Sequence, residues 1–280
     1  MSTNKSPLFF QDTSGKFLYI RHGKTHFNHA STPENRFIIK TQKDYINCPL
    51  SEIGISQAKS IQSIVNNFDI EAIYVSPLTR TLQTVLHIFE NHPQKDNIII
   101  KVHPLITESV SGVHDFSYDI SERKQQFNIN SQPIKFDWSY FDKKFPTKKE
   151  QDLNFLSYID YFNEEQKKET FGKIYDAYNK EDIEELKESI ADLSKYAVNL
   201  GLLRCEKLQS MLKRSLEFEN FLRETHKQTI TDTNKKVIVV MHSSFGRICT
   251  SEQALTMENI PDFPEDCYMM SNCEIISKNI

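Results

Sequence analysis

The sequence predicts an α/β fold: a three-layer sandwich with a mostly parallel central sheet flanked by helices, plus a large helical cap insertion. Three observations lead there. Short apolar runs at 17–20, 72–75, 98–102 and 237–241 read as buried strands, each followed by polar or helix-starting residues. Helical periodicity fills the gaps between the first three, which is the alternation of a parallel sheet with covering helices. Between residues 116 and 204 the strand pattern lapses and helical patterns take over.

Taken in order, residues 1–15 read as an irregular lead-in. The first strand ends in Arg21-His22-Gly23, delivering a cation and an imidazole to the carboxyl edge of the sheet, where open α/β folds bind ligands. Gly23 lets the backbone turn sharply there. Residues 26–50 are polar and broken by Pro33 and Pro49, which predicts a long loop of the kind that is functional or mobile in a compact domain. Ser51 caps a helix whose apolar side is Ile53, Ala58, Ile61, Ile64 and Val65. After the strand at 72–75, Ser76-Pro77 starts a second helix with a stripe of Leu78, Leu82, Val85, Leu86 and Phe89. The third strand runs into Pro104 and on to Glu108. Residues 116–150 are aromatic, charged and strand-poor, and helices are expected over 149–168 and 180–200, the latter ended by Gly201. Leu208, Met211, Leu212, Phe218, Phe221 and Leu222 mark another long helix before Lys235. The flat apolar run at 237–241 predicts a central strand with His242 at its tip, and 273–277 an edge strand. One domain over 1–280 is expected, with 116–204 as a helical cap.

Composition narrows the function. The 280 residues carry 38% hydrophobic and 26% charged side chains with a formal net charge of −4, which disfavours a nucleic-acid binder working by phosphate neutralisation. No run approaches the roughly 18 apolar residues of a membrane span, and nothing near the start reads as a secretory signal. Five scattered cysteines without a CxxC suit reduced thiols, and together these features predict a cytoplasmic protein.

The chemistry-bearing residues are Arg21, His22, Arg80, Glu108 and His242. All but Arg80 follow an apolar strand, and Arg80 lies in the first turn of a helix. Parallel strands point their carboxyl ends one way, so these groups can converge although far apart in sequence. Two guanidiniums, two imidazoles and a carboxyl are a set suited to phosphoryl transfer without a metal: arginines clamp the phosphoryl oxygens, an imidazole attacks phosphorus, and an acid protonates the leaving oxygen. Arginines close by also keep an imidazole neutral.

At these residues the chain resembles the histidine phosphatase (phosphoglycerate mutase-like) superfamily. The resemblance rests on Arg21-His22-Gly23-x-Thr25-x-x-Asn28, Pro49-Leu50-Ser51-x-x-Gly54-x-x-Gln57-Ala58, Ser76-Pro77-Leu78-x-Arg80-Thr81-x-Gln83-Thr84 and Val240-x-His242-x-x-Phe245. Glu108 with Gly112 and Asp115 is similar to the family's acid-bearing loop, and Asn272-Cys273 to the approach to its last strand. The likeness covers roughly 16–115 and 205–277 and leaves 116–204 unmatched. It implies that His22 is the nucleophile of a phosphohistidine intermediate. Arg21, Arg80 and His242 would hold the phosphoryl group, Glu108 would be the proton donor, and Thr25 and Asn28 would contact the pocket. Asp115 is a rival for the acid. Two departures stand out: Lys24 where the family often has Glu, and Ser243-Ser244 where it has glycines.

Histidines 26, 29, 103 and 114 are expected on the surface or one layer back from the site. The aromatics of 116–145 are expected in the core of the cap. Cysteine-phosphatase, aspartyl-phosphatase, HExxH and P-loop motifs are missing from the sequence, so neither metal nor cofactor is expected. The implied activity is hydrolysis of a small-molecule or protein phosphomonoester, with phosphoglycerate mutase and sugar bisphosphatase as enzymatic alternatives. A non-catalytic phospho-ligand scaffold is the alternative of another class. Substrate and oligomeric state are not legible.

Overall fold

A computed structural model describes residues 11–128, 134–256, 258, 260, 262–278 and 280; the first ten residues of the expected lead-in lie outside these. β1 (Phe17–Arg21) is followed by two short helices, α1 (His26–Ala30) and α2 (Arg36–Ile39), inside the stretch expected as loop. Then come α3 (Glu52–Ser60), α4 (Gln62–Val65), β2 (Asp69–Val75), α5 (Thr79–Phe89) and β3 (Ile99–Val102). The insertion contributes α6 (Ile120–Phe127), β4 (Lys135–Asp137), α7 (Ser139–Lys144), α8 (Lys148–Asp152), α9 (Glu164–Asn179) and α10 (Ile183–Asn199). The chain returns through α11 (Leu208–Thr225), β5 (Lys235–Met241), α12 (Ser243–Cys249) and β6 (Ile275–Lys278).

The six strands form one sheet in the order β4-β3-β2-β5-β1-β6, parallel throughout except for β6, which runs antiparallel along β1. Its two faces are legible in the strands themselves, because successive side chains alternate. Leu18, Ile20, Ile73, Val75, Ile238 and Val240 face one layer, holding α3, α5 and the insertion; Phe17, Tyr19, Ala72, Tyr74, Val237 and Val239 face α11 and α12. Each large apolar side chain so buried contributes about 1.5–3 kcal/mol. Among the described residues no helix is long and apolar enough to cross a membrane.

Three expectations need correction. Ile53 is exposed, because α3 buries Gly54 and Ala58 against α5 and the neighbouring position points away; the helix also breaks at Ile61 instead of running on. The strand-poor region contains β4, a three-residue edge strand. The helix expected over 149–168 is three pieces: α8, a 3₁₀ segment (Asn154–Tyr158) and the start of α9. Of the aromatics at 116–145, Phe116, Phe127, Phe136, Trp138, Phe141 and Phe145 are buried, in the same apolar cluster as the first sheet face.

Candidate active site

The topology sets the site. His22, Ser76, His103 and His242 are the first residues beyond β1, β2, β3 and β5, four parallel strands whose carboxyl ends share one edge. The turn after β1 is fixed by backbone packed on backbone. A Cβ on Gly23 would come within 2.5 Å of the Gly54 carbonyl oxygen, and one on Gly54 within 2.1 Å of that of Lys24, so only glycine fits at either position. Around this contact the motif residues hold the loop. Ser51 donates to Lys24 O through both its backbone N–H and its hydroxyl, each at 2.9 Å. Gly23 N–H donates to Thr84 Oγ1 at 3.0 Å, and Leu50 N–H to Gln83 Oε1 at 2.8 Å. Asn272 Nδ2 donates to His22 O at 2.7 Å.

Beyond that loop lies a cavity of about 160 Å³ lined by Arg21, His22, Arg80 and Glu108, with Thr25, Asn28, Ser111, His114, Asp115, Ser243 and Ser244. A larger cavity of about 670 Å³ between α6, α8 and α10 gathers none of these groups. His22, 4% exposed, places Nδ1 2.7 Å from Gly23 O. A carbonyl only accepts, so Nδ1 carries the proton and Nε2 is left with a free lone pair. Burial first, then the nearby Arg80 and Arg21, holds this imidazole well below the usual histidine pKa, and therefore neutral.

The rings of His22 and His242 are 5.2 Å apart between centroids, but His242 does not reach the cavity wall. It is wholly buried, accepting from Arg80 Nε at 3.2 Å on Nδ1 and donating from Nε2 to Ser76 Oγ at 2.7 Å. Arg80 also donates to His114 O at 2.6 Å and to Asp115 Oδ1 at 2.8 Å. A guanidinium has five N–H donors, so one on each terminal nitrogen remains for a ligand. Arg21 donates to Met270 O at 2.6 Å, and its buried Nε has no partner among the described residues.

The two candidate acids differ sharply. Asp115 accepts from Arg80 and from both the backbone N–H and the hydroxyl of Ser111. Burial pushes its pKa up, but His114, Arg80 and the Ser111 bonds outweigh that and hold it below the ordinary value, as a carboxylate. Glu108 is pushed upward, by burial and then by Asp115, against Arg80 and backbone donors. Its Oε1 accepts from Ser109 and Phe245 N–H, whereas Oε2 accepts only from Ser244 N–H and is the oxygen with room for a proton.

Thr25 and Asn28 line the cavity, yet Thr25 caps α1 and donates to Asn28 Oδ1, so much of their bonding capacity is spent locally. His26 and His29 are exposed, and His103 is buried against Tyr140, Phe218 and Phe221. His114, expected one layer back, lines the cavity, stacked on Phe27 at 3.6 Å. Sequence reasoning missed a buried ion pair: Arg214 binds Glu206 through two bonds and donates to Leu105 O and Thr107 O, steadying the loop that carries Glu108. No motif surrounds either residue, and α11 is placed by apolar pattern alone.

Residues 17–133 match the sequence model of the histidine phosphatase superfamily, branch 1. Over that span, somewhat under half of the chain, the protein is similar to this superfamily. Similar solved structures include a mycobacterial glucosyl-3-phosphoglycerate phosphatase complexed with VO3 (14% identity, covering 92% of this chain and 90% of the other, TM-score 0.46). Others are the ecdysone phosphate phosphatase of Bombix mori with tungstate (14%, 92% and 86%, 0.44) and the alpha-ribazole phosphatase of Shigella flexneri (12%, 87% and 80%, 0.40). No curated protein matches the sequence. The matched span holds Arg21, His22, Arg80, Glu108 and Asp115, while His242 lies beyond it.

Proposed function

We propose that the protein hydrolyses phosphomonoesters through a phosphohistidine on His22 Nε2, with no metal in the step. The observation that carries this is the His22 tautomer: Nδ1–H is committed to Gly23 O, so a neutral Nε2 lone pair sits on the wall of a cavity with two arginines. Arg21 and the two uncommitted N–H groups of Arg80 hold the equatorial oxygens. His242 acts through Arg80, as a neutral acceptor that fixes the plane of its guanidinium.

In the first half-reaction the Nε2–P bond forms as the P–O ester bond breaks, and the proton on Glu108 Oε2 passes to the leaving oxygen. In the second, water attacks phosphorus, its proton goes to the Glu108 carboxylate, and the N–P bonding pair returns to His22. Asp115 is the fixed carboxylate that orients Arg80 and keeps Glu108 protonated. The substrate is a phosphorylated small molecule or protein.

The test is phenyl phosphate hydrolysis by wild type and His22→Ala, with acid-labile label on the protein after quenching. Loss of activity by about 10⁴-fold or more in the variant, together with loss of label, is expected. Equal rates in the two proteins refute the reading. Release to water supports the phosphatase; transfer to an added alcohol supports the mutase.

A further inference from the structure

The cavity at His22 is small, about 160 Å³, below the roughly 300 Å³ at which pockets for whole small-molecule ligands begin. It takes a phosphoryl group and little more, so the rest of a substrate must lie over the rim. One side of that rim is basic. Arg247 stands on α12 four residues after Ser243 and three after Ser244, hence on their face of the helix, about 6 Å further along. Arg247 is partly buried, and its side chain makes no hydrogen bond to any described residue; its Nε is fully enclosed.

The guanidinium of Arg247 lies 3.9 Å from the centre of the Phe263 ring, and that of Arg204 lies 4.8 Å from the same ring. Arg204 belongs to the strap running past the cavity loop, where Cys205 N–H donates to Val110 O. Lys40 closes the group. Its stem packs on Gly112, next to the cavity-lining Ser111, and its ammonium has only a long contact of 3.5 Å with Leu203 O. Among the described residues Arg204 pairs with a rim carboxylate, Asp262, 3.4 Å away and 73% exposed. Asp115 lies within electrostatic reach of Lys40 but is already committed to Arg80.

Resting on the phosphatase reading, we infer that Arg247, Arg204 and Lys40 form a second anion subsite for a carboxylate or phosphate on the same molecule as the scissile phosphoryl group. Phe263 is the apolar plate that sets the two guanidiniums apart, and Asp262 is the exchangeable counter-ion that a substrate anion displaces. The preferred substrates are therefore bisphosphates or phosphorylated acids of short span, rather than phosphate esters of neutral alcohols.

Binding and turnover are measured together. Calorimetry gives the affinity of wild type and the Arg204→Gln/Arg247→Gln variant for methylphosphonate, 3-phosphonopropionate and propane-1,3-bisphosphonate, alongside phenyl phosphate hydrolysis by wild type. The second anion is expected to tighten binding to wild type roughly 10- to 100-fold, and the variant to lose most of that gain. Comparing the carboxylate and bisphosphonate arms identifies which anion is favoured. For wild type alone, the gain should shrink between about 0.05 M and 0.5 M salt, a readout independent of whether the variant folds. No gain in wild type, or an equal gain in the variant, overturns the subsite. A gain without phenyl phosphate hydrolysis leaves the subsite standing and overturns the catalytic reading.

Discussion

The amino edge of the sheet carries a buried charged cluster too, and it is built on opposite terms from the one at the carboxyl edge. There Glu71 accepts from Lys16 Nζ at 2.5 Å, His226 Nδ1 at 2.5 Å and Thr229 Oγ1 at 2.7 Å, while Tyr74 O–H donates to His226 Nε2 at 3.2 Å. The Lys16 ammonium also reaches the carbonyls of Asp232 and Lys235. Nearly every donor meets an acceptor within the protein. At the carboxyl edge, Arg21 Nε and His114 Nδ1 are buried without partners among the described residues, and Arg80 has two N–H groups to spare. Burial and charge are common to both edges; what separates the closed cluster from the candidate site is hydrogen-bonding capacity left over.

Experiments can break that contrast. The largest effect beyond His22 should come from Glu108→Gln, which keeps the backbone hydrogen bonds to Oε1, loses the one from Ser244 to Oε2 and cannot give up a proton in the same way. Turnover of an alkyl phosphate should fall about 10²–10⁴-fold, and that of an aryl phosphate, whose leaving group needs less protonation, far less. The sign of the pH profile follows. The proposed mechanism needs His22 neutral and Glu108 protonated. The acid limb therefore falls well below pH 6.5, where His22 takes its proton, and the alkaline limb above 4.5, where Glu108 loses its own. An alkaline limb that survives in Glu108→Gln would assign it to another group.

Next comes Glu206→Gln, which leaves the Arg214 charge buried and half-paired. A stability loss of about 3–5 kcal/mol in denaturant unfolding is expected, with kcat lowered through the displaced Glu108 loop. Unchanged kcat in the folded variant would deny the loop this support. The smallest effect belongs to the amino edge. Glu71→Gln should lower Tm by roughly 5 °C and leave kcat/KM alone. Burial raises the Glu71 pKa, but its bonds to Lys16, Thr229 and His226 outweigh this and hold it down to about 2. Its stabilisation is thus full above the unfolded value of about 4.3 and fades as pH falls toward 2. Acid unfolding curves of wild type and Glu71→Gln should converge in that window, and parallel curves would contradict the assignment.

The sheet is largely legible because β1, β2, β3 and β5 each carry a short, mostly apolar run, and the candidate site because most of its residues sit at or just beyond their tips. β4 was not: Lys135-Phe136-Asp137 has a single buried side chain and no run to detect. The helices of the insertion were misjoined although two start signals were present, the capping boxes Thr147-x-x-Glu150 and Asn163-x-x-Gln166. Sequence could name Glu108 and Asp115 as rivals but could not separate them. The difference lies in what surrounds each carboxyl, Arg80 and Ser111 for one and a crowded helix end for the other. The sequence places His242 at a strand tip, but its hydrogen bonds to Ser76 and Arg80 come from neighbours that only the assembled sheet provides.

The strand order carries a consequence for synthesis. β5 joins β1 to β2, yet it leaves the ribosome more than 150 residues after β2, once the whole insertion has been made. Until residue 241 is available, His22 stands at the tip of a strand with no neighbour and Arg80 has no His242 to steady it. Folding must close these distant pairings late and slowly, and a translation product cut short in the insertion lacks β5 and the His242 at its tip.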